Sequence, residues 1–199
     1  MLEVCKSSLS TFTAMGCEVE EIRPDVAVEP VWQAMQTLRS WMTTSTLLPL
    51  VDDPAHKGMF GPQTLWEVEN GRNRTGAQIM QASGVRTAYT HAFERLFDRF
   101  DFVVAPAVQV FPFAIEDKWP TEVAGHPMRT YHEWMLCCFL VTMTGLPALA
   151  APAGFSKQGW PAGIQIVGKR RGEMECLRIA HAYEQARADV IGRLSPLMA

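Results

Sequence analysis

At 199 residues, with 48% hydrophobic and 20% charged side chains, the chain has the composition of a globular protein and not of a disordered one. A net charge of −3 and a sequence pI near 6.0 leave no broad basic field to attract nucleic acid. No stretch approaches the ~20 continuous apolar residues of a membrane span, and MLEVCKSSLS lacks the basic start and apolar run of a signal peptide.

In chain order, Leu2, Cys5, Leu9 and Phe12 fall at helical spacing and stop at Gly16, a plausible C′ residue. CEVEEI, residues 17–22, alternates imperfectly and predicts a short strand. Pro30 suits the first turn of a helix through Trp32, Met35, Leu38 and Met42. Residues 43–61 show little periodicity and carry Pro49, Pro54, Gly58 and Gly61, so no element is assigned there. A short helix is expected from Pro62 to Gly71, then a long one over residues 75–100 with Ile79, Met80, Ala82, Val85, Tyr89, Phe93, Leu96 and Phe97 on its apolar face. FDFVVAPA reads as a buried strand closed by Pro106, followed by a long loop over residues 106–130. Thr130 to Glu133 has the S/T-x-x-E form of a capping box and should open a helix to about Thr144. ALAAP and AGIQIVG are apolar strands joined by a turn, and a last helix over residues 173–188 should pack Leu177, Ala180 and Tyr183. The alternation of helix and strand predicts an α/β fold.

GIQIVGKR, residues 163–170, approaches the phosphate-loop pattern G-x-x-x-x-G-K-[ST], but Arg170 replaces the hydroxyl residue and the insert is apolar and β-branched, which makes a buried strand the better reading. Gln165, the polar residue in that strand, must be hydrogen-bonded if buried; anchoring of a neighbouring loop is preferred to substrate contact. No G-x-S-x-G nucleophile elbow and no S-x-x-K pair occur, so no residue is assigned a catalytic role. HEWML starts like a zinc motif, but Leu136 stands where the second histidine belongs. His91 with Glu94 and His181 with Glu184 read as surface pairs one turn apart, and Lys169-Arg170-Arg171 as a solvated corner. Cys5, Cys17, Cys137, Cys138 and Cys176 are odd in number, without C-x-x-C, and point to reduced thiols in a cytoplasmic protein. No metal or other cofactor is expected. The chain reads as the body of an α/β enzyme without its catalytic centre.

Residues 142–186, TMTGLPALAAPAGFSKQGWPAGIQIVGKRRGEMECLRIAHAYEQA, strongly resemble the C-terminal region of the amidase signature family: a T-G-x-P-A strand, a G-x-P-x-G turn, a G-x-Q-x-V-G strand and a helix ending near Tyr-Glu-Gln. FDFVVAPA is similar to an earlier strand of that family, with Ala107 in place of its usual Thr, and GCEVEEI to the segment that follows its catalytic core. Thr142 departs from the Asn of many relatives. The resemblance implies the C-terminal part of one amidase domain spanning residues 1–199, a mixed sheet covered by helices on both faces. It implies hydrolysis of a carboxylic amide by a serine nucleophile, a cis-peptide serine and a lysine base, none of which maps onto this chain. On this view the chain supplies scaffold and, through Trp119, Tyr131 and Trp134, part of an acyl pocket for a small-molecule amide. Phe111, Phe113 and His126 belong to the same loop. Its expected partner is an N-terminal catalytic half, or a second copy through an open sheet edge. The alternative is a non-catalytic interaction or assembly subunit on an amidase-derived scaffold.

Overall fold

A computed structural model describes residues 1–193, and the chain divides into two compact units, one made of Met1–Pro24 with the chain from Phe93 onward, the other of Asp25–Ala92. The second unit is helical. α2 (Val28–Val51) and α3 (Pro62–Arg72) pack closely, and α4 (Gly76–Glu94) leads out of it. Two features fix the α2–α3 crossing. Gly71 has no side chain because a Cβ there would overlap the Thr44 hydroxyl and the Ser40 carbonyl. Thr44 Oγ1 also donates to Val68 O at 2.8 Å. Glu67, 7% exposed, is paired with Arg39 and the Thr43 hydroxyl, which removes the cost of burying a lone carboxylate.

The first unit is an α/β assembly. α1 (Leu2–Ala14) ends in a Schellman motif, with Cys17 N donating to Phe12 O at 3.0 Å and Gly16 at φ 91°. β1 (Val103–Pro106), β4 (Ala148–Phe155) and β5 (Pro161–Val167) form a three-stranded sheet in the order β1-β5-β4, with both neighbours antiparallel to β5. On one face Val104, Ile166, Leu149, Ile164 and Ala151 meet α1 and α6 (Glu173–Ala186), where Phe12 and Tyr183 stack at 4.9 Å. A bulge between Pro152 and Gly154 turns two carbonyls towards α6. Tyr183 Oη donates to Pro152 O at 2.9 Å and Arg187 Nη2 to Ala153 O at 3.0 Å, so the Tyr-Glu-Gln end of α6 locks the irregular strand. α5 (Leu136–Thr144) ends at Gly145, left-handed at φ 66°, and α7 (Ala188–Ile191) follows α6. Among the described residues no helix is long and apolar enough to cross a membrane.

Six expectations need correction. The long helix expected over residues 75–100 ends at Glu94, where a 3₁₀ turn over Arg95–Asp98 follows, and Met80 of its expected apolar face is 72% exposed. Residues 17–24 form no strand, because no strand among the described residues pairs with them. The second helix continues to Val51 through Pro49; the buried residue of its continuation is Thr44, which follows the buried Ser40 by one turn, and these small polar residues hide the apolar period. The loop over residues 106–130 contains a small hairpin, β2 (Glu122–Val123) with β3 (His126–Pro127), turned by Ala124 and Gly125 at φ 50° and 81°. The capping box forms only in part: Glu133 takes the Arg129 and Thr130 amides, a 3₁₀ turn follows at Glu133–Met135, and the helix starts at Leu136. Leu177 is 54% exposed, since the buried stripe of α6 runs through Cys176, Ile179 and Tyr183 instead.

Candidate functional site

The site is built where β1 hands over to the long loop and where that loop returns into α5. Register fixes the first part. Ala107 N donates to Gly163 O at 2.9 Å, so the residues of β1 that exchange ladder bonds with β5 are Val103 and Ala105, and the carbonyl of Pro106 points away from the ladder. Gln165 takes up that carbonyl. Its Nε2 donates to Pro106 O at 2.9 Å and to Cys137 O at 3.1 Å, which ties the end of β1 to the first turn of α5. Cys138 Sγ donates to Ala107 O at 2.6 Å, and the Cys137 amide donates to Gln109 Oε1 at 3.4 Å. The adjacent Cys138 sulfur, then burial, push the Cys137 thiol well above its ordinary range. The anchoring role expected for Gln165 is therefore what the structure gives it, and Gly163 sits close enough to Ala107 Cβ and Ala151 O for a side chain to crowd both.

Above this anchor the structure brings Trp119, Tyr131 and Trp134 together. Trp119 and Tyr131 meet edge-to-face at 6.4 Å, Tyr131 and Trp134 at 6.3 Å, and Phe113 joins Trp134 at 5.6 Å. Edge-to-face geometry lets each positive ring edge meet a negative face, a preferred arrangement for such rings. Tyr131 is 38% and Phe113 41% exposed, while Trp119 and Trp134 are half-buried, so the cluster presents a partly open apolar wall. Beside it, Thr130 Oγ1 next to Tyr131 in sequence and Trp134 Nε1 of the cluster itself are buried without a hydrogen-bond partner among the described residues. Phe111 goes elsewhere: it packs against the sheet core. His126 lies on β3 and is exposed. The residue that motif reasoning passed over is His132, 5% exposed and edge-on to Tyr131 and Phe139. Its only signal was the incomplete zinc motif, which pointed to the wrong chemistry.

Ser156 Oγ accepts from the Gln158 and Trp160 amides and closes the β4–β5 turn, a structural role. His181 and Glu184 make an exposed pair at 3.9 Å, and Arg170 and Lys169 pair with Glu94 at 2.7 Å and Asp101 at 3.7 Å at a solvated corner. All five cysteines are free thiols. No group of three or more metal-ligating side chains gathers among the described residues.

Comparison with known proteins places this geometry. The family model described as Amidase matches residues 3–177. A glutamyl-tRNA(Gln) amidotransferase subunit from Brevibacillus brevis is 37% identical over 109 residues, covering 55% of this chain and 21% of the relative. The corresponding protein from Dehalococcoides mccartyi is 29% identical over 165 residues, covering 80% and 29%. Among solved structures, a bacterial aryl acylamidase of the amidase signature family superposes with a TM-score of 0.81 at 20% identity, over 92% of this chain and 39% of that one. A 6-aminohexanoate cyclic dimer hydrolase superposes at 0.72 and 18% identity, over 92% and 40%; at these identities the likeness is one of fold. The chain thus spans less than a third of the length of these relatives by sequence, and about two fifths of the solved structures it matches. With a family match from residue 3 to residue 177 and the two strands, turn and helix that the 142–186 motifs anticipate, the chain belongs to the amidase family.

Proposed function

We propose that residues 1–199 form the C-terminal portion of a single amidase domain, working within a complete enzyme that hydrolyses the C–N bond of a carboxylic amide. The observation that carries this reading is the family match over residues 3–177 on a chain with no G-x-S-x-G and no S-x-x-K. In this reading the nucleophile, its base and the oxyanion donors come from an N-terminal catalytic portion, and this chain contributes scaffold and part of the acyl pocket. Trp119, Tyr131 and Trp134 form the pocket wall. Their support is the shared cluster, its partial exposure, and the Gln165 bonds that tie the two chain segments flanking it, at Pro106 and Cys137, to the sheet.

Two measurements test the proposal. The chain alone should take no fluorophosphonate label and hydrolyse no simple aliphatic or aromatic amide. Stoichiometric labelling of a serine, abolished by its change to Ala, would show a nucleophile in this chain. In the enzyme completed with a catalytic portion, Trp119→Ala should change the ratio of kcat/KM between bulky and small amides by roughly tenfold, about 1.4 kcal/mol. An unchanged ratio with lower stability alone would make the cluster a piece of core packing.

A further inference from the structure

The five free thiols are not alike. Cys5 and Cys176 are buried, and their sulfurs lie against the carbonyls of Gly163 and Pro147. Cys137 and Cys138 are adjacent, half-buried, and placed in the first turn of α5. Their side chains interact: the Cys138 sulfur and burial hold the Cys137 thiol up, while the bond from Cys137 draws the Cys138 thiol below its ordinary value. The first proton therefore leaves from Cys138, at a helix N-terminus that favours a thiolate. The same pair also holds the long loop. Cys138 Sγ donates to Ala107 O at 2.6 Å, the Cys137 amide donates to Gln109 Oε1 at 3.4 Å, and Cys137 O accepts from Gln165 Nε2 at 3.1 Å. Of these bonds only the first depends on a thiol proton.

We propose that Cys137 and Cys138 form a dithiol site for monosubstituted trivalent arsenicals, and that its occupation releases Ala107 and loosens the start of the long loop. The reaction is a condensation. R–As(OH)₂ forms an As–S bond to each cysteine and loses both As–O bonds, and each thiol proton leaves with a hydroxide as water, without change of oxidation state. Soft sulfur suits soft arsenic(III). A zinc ion takes four ligands, and no group of three or more metal-ligating side chains gathers among the described residues. The arsenical needs only the pair, because carbon fills its third position. A direct disulfide between adjacent cysteines is strained, whereas an inserted arsenic atom spans a wider gap between the sulfurs. Binding consumes the proton that Cys138 gives to Ala107 O and leaves that carbonyl without this donor.

The test treats the 199-residue chain with equimolar phenylarsine oxide, which hydrates to the R–As(OH)₂ form, and follows intact mass and amide hydrogen exchange. A single adduct is expected that resists excess monothiol and yields to 2,3-dimercaptopropanol. Exchange at residues 107–109 should rise about fivefold, the factor that one lost hydrogen bond gives. Cys138→Ser keeps a donor for Ala107 O, so it should leave thermal unfolding unchanged while weakening arsenical binding about a hundredfold, the loss of the second, intramolecular bond. Cys137→Ser, which leaves the donor to Ala107 in place, should weaken it as much, and Cys17→Ser should not. An adduct that monothiol displaces, or that survives either serine variant at α5, overturns the dithiol site, as does loss of binding in Cys17→Ser. A dithiol adduct with unchanged exchange at 107–109 overturns the coupling to the loop, and no adduct at all overturns both.

Discussion

Gln165→Leu isolates the contribution of one side chain to the architecture of the site. Leucine is similar in volume and suits a position that is 8% exposed, so the packing term is small. What is lost is the Nε2 donor to Pro106 O at 2.9 Å and Cys137 O at 3.1 Å. The two acceptors do not count equally. Cys137 O lies within the first turn of α5 and keeps its place in the helical ladder, so its loss is about 0.5 kcal/mol. Pro106 O points away from β5 and becomes a part-buried unsatisfied acceptor, which costs about 1–3 kcal/mol. The sum is about 2 kcal/mol, a fall in Tm of about 4–8 °C for a chain of this size. Thermal unfolding followed by circular dichroism measures the whole, and hydrogen exchange at residues 107–109 and 136–138 measures the local part, which should rise more than exchange in α1. Gln165→Glu should cost more at neutral pH, because it places a carboxylate against two carbonyls, and recover on acidification as it becomes a donor. A Gln165→Leu variant within 0.5 kcal/mol of the parent, with unchanged exchange at both segments, would refute the anchoring argument.

Gly71→Ala should destabilise the helical unit by about 1–3 kcal/mol or more, because the added methyl meets the Ser40 backbone as well as the Thr44 hydroxyl; the ~1 kcal/mol gained in helix propensity does not offset this, and a neutral result in denaturant titration would contradict the crossing described. Tyr183→Phe keeps the stack on Phe12 and removes the bond to Pro152 O, so about 1 kcal/mol is expected, against about 3–5 kcal/mol for Tyr183→Ala; equal losses would mean that the hydroxyl, not the ring, holds the bulge. The Arg72 guanidinium beside Asp52 holds that carboxyl below its ordinary 3.8. A depressed carboxyl stabilises the fold above its unfolded value and loses that stability as pH falls through the folded one, so Asp52→Asn should flatten the acid limb of the stability profile below about pH 4, and an unchanged limb would refute a role for this pair.

How much of this was legible beforehand divides along a physical line. Local signals stood in the sequence: the Gly16 and Gly145 helix stops, the apolar runs of β4 and β5, and the turn that joins them. Each depends on backbone geometry within a few residues, which side-chain type sets directly. Gln165 also announced itself, since one amide in an apolar strand must find partners when buried. Family-level motifs in residues 142–186 carried the fold class, for the same reason that they encode this hairpin and the helix that closes it; the bulge in β4 was not legible in them.

What tertiary structure alone decided is whatever depends on a distant partner. CEVEEI alternates like a strand, yet a strand exists only when another lies beside it, and none does among the described residues. Thr44 and Ser40 look polar in sequence but are buried because Gly71 lets α3 press against them. Leu177 looks like core, but the bulge carbonyls draw Tyr183 inward and set the rotation of α6 that leaves Leu177 in solvent. Trp119, Tyr131 and Trp134 were visible as aromatic residues around one long loop, but their edge-to-face assembly needed the loop's return, which Gln165 and Cys138 fix by bonding Pro106, Cys137 and Ala107 across the sheet end. Residue type determined which segments could become helix or strand; hydrogen bonds between segments far apart in the chain decided which of them did, and which side chains meet there.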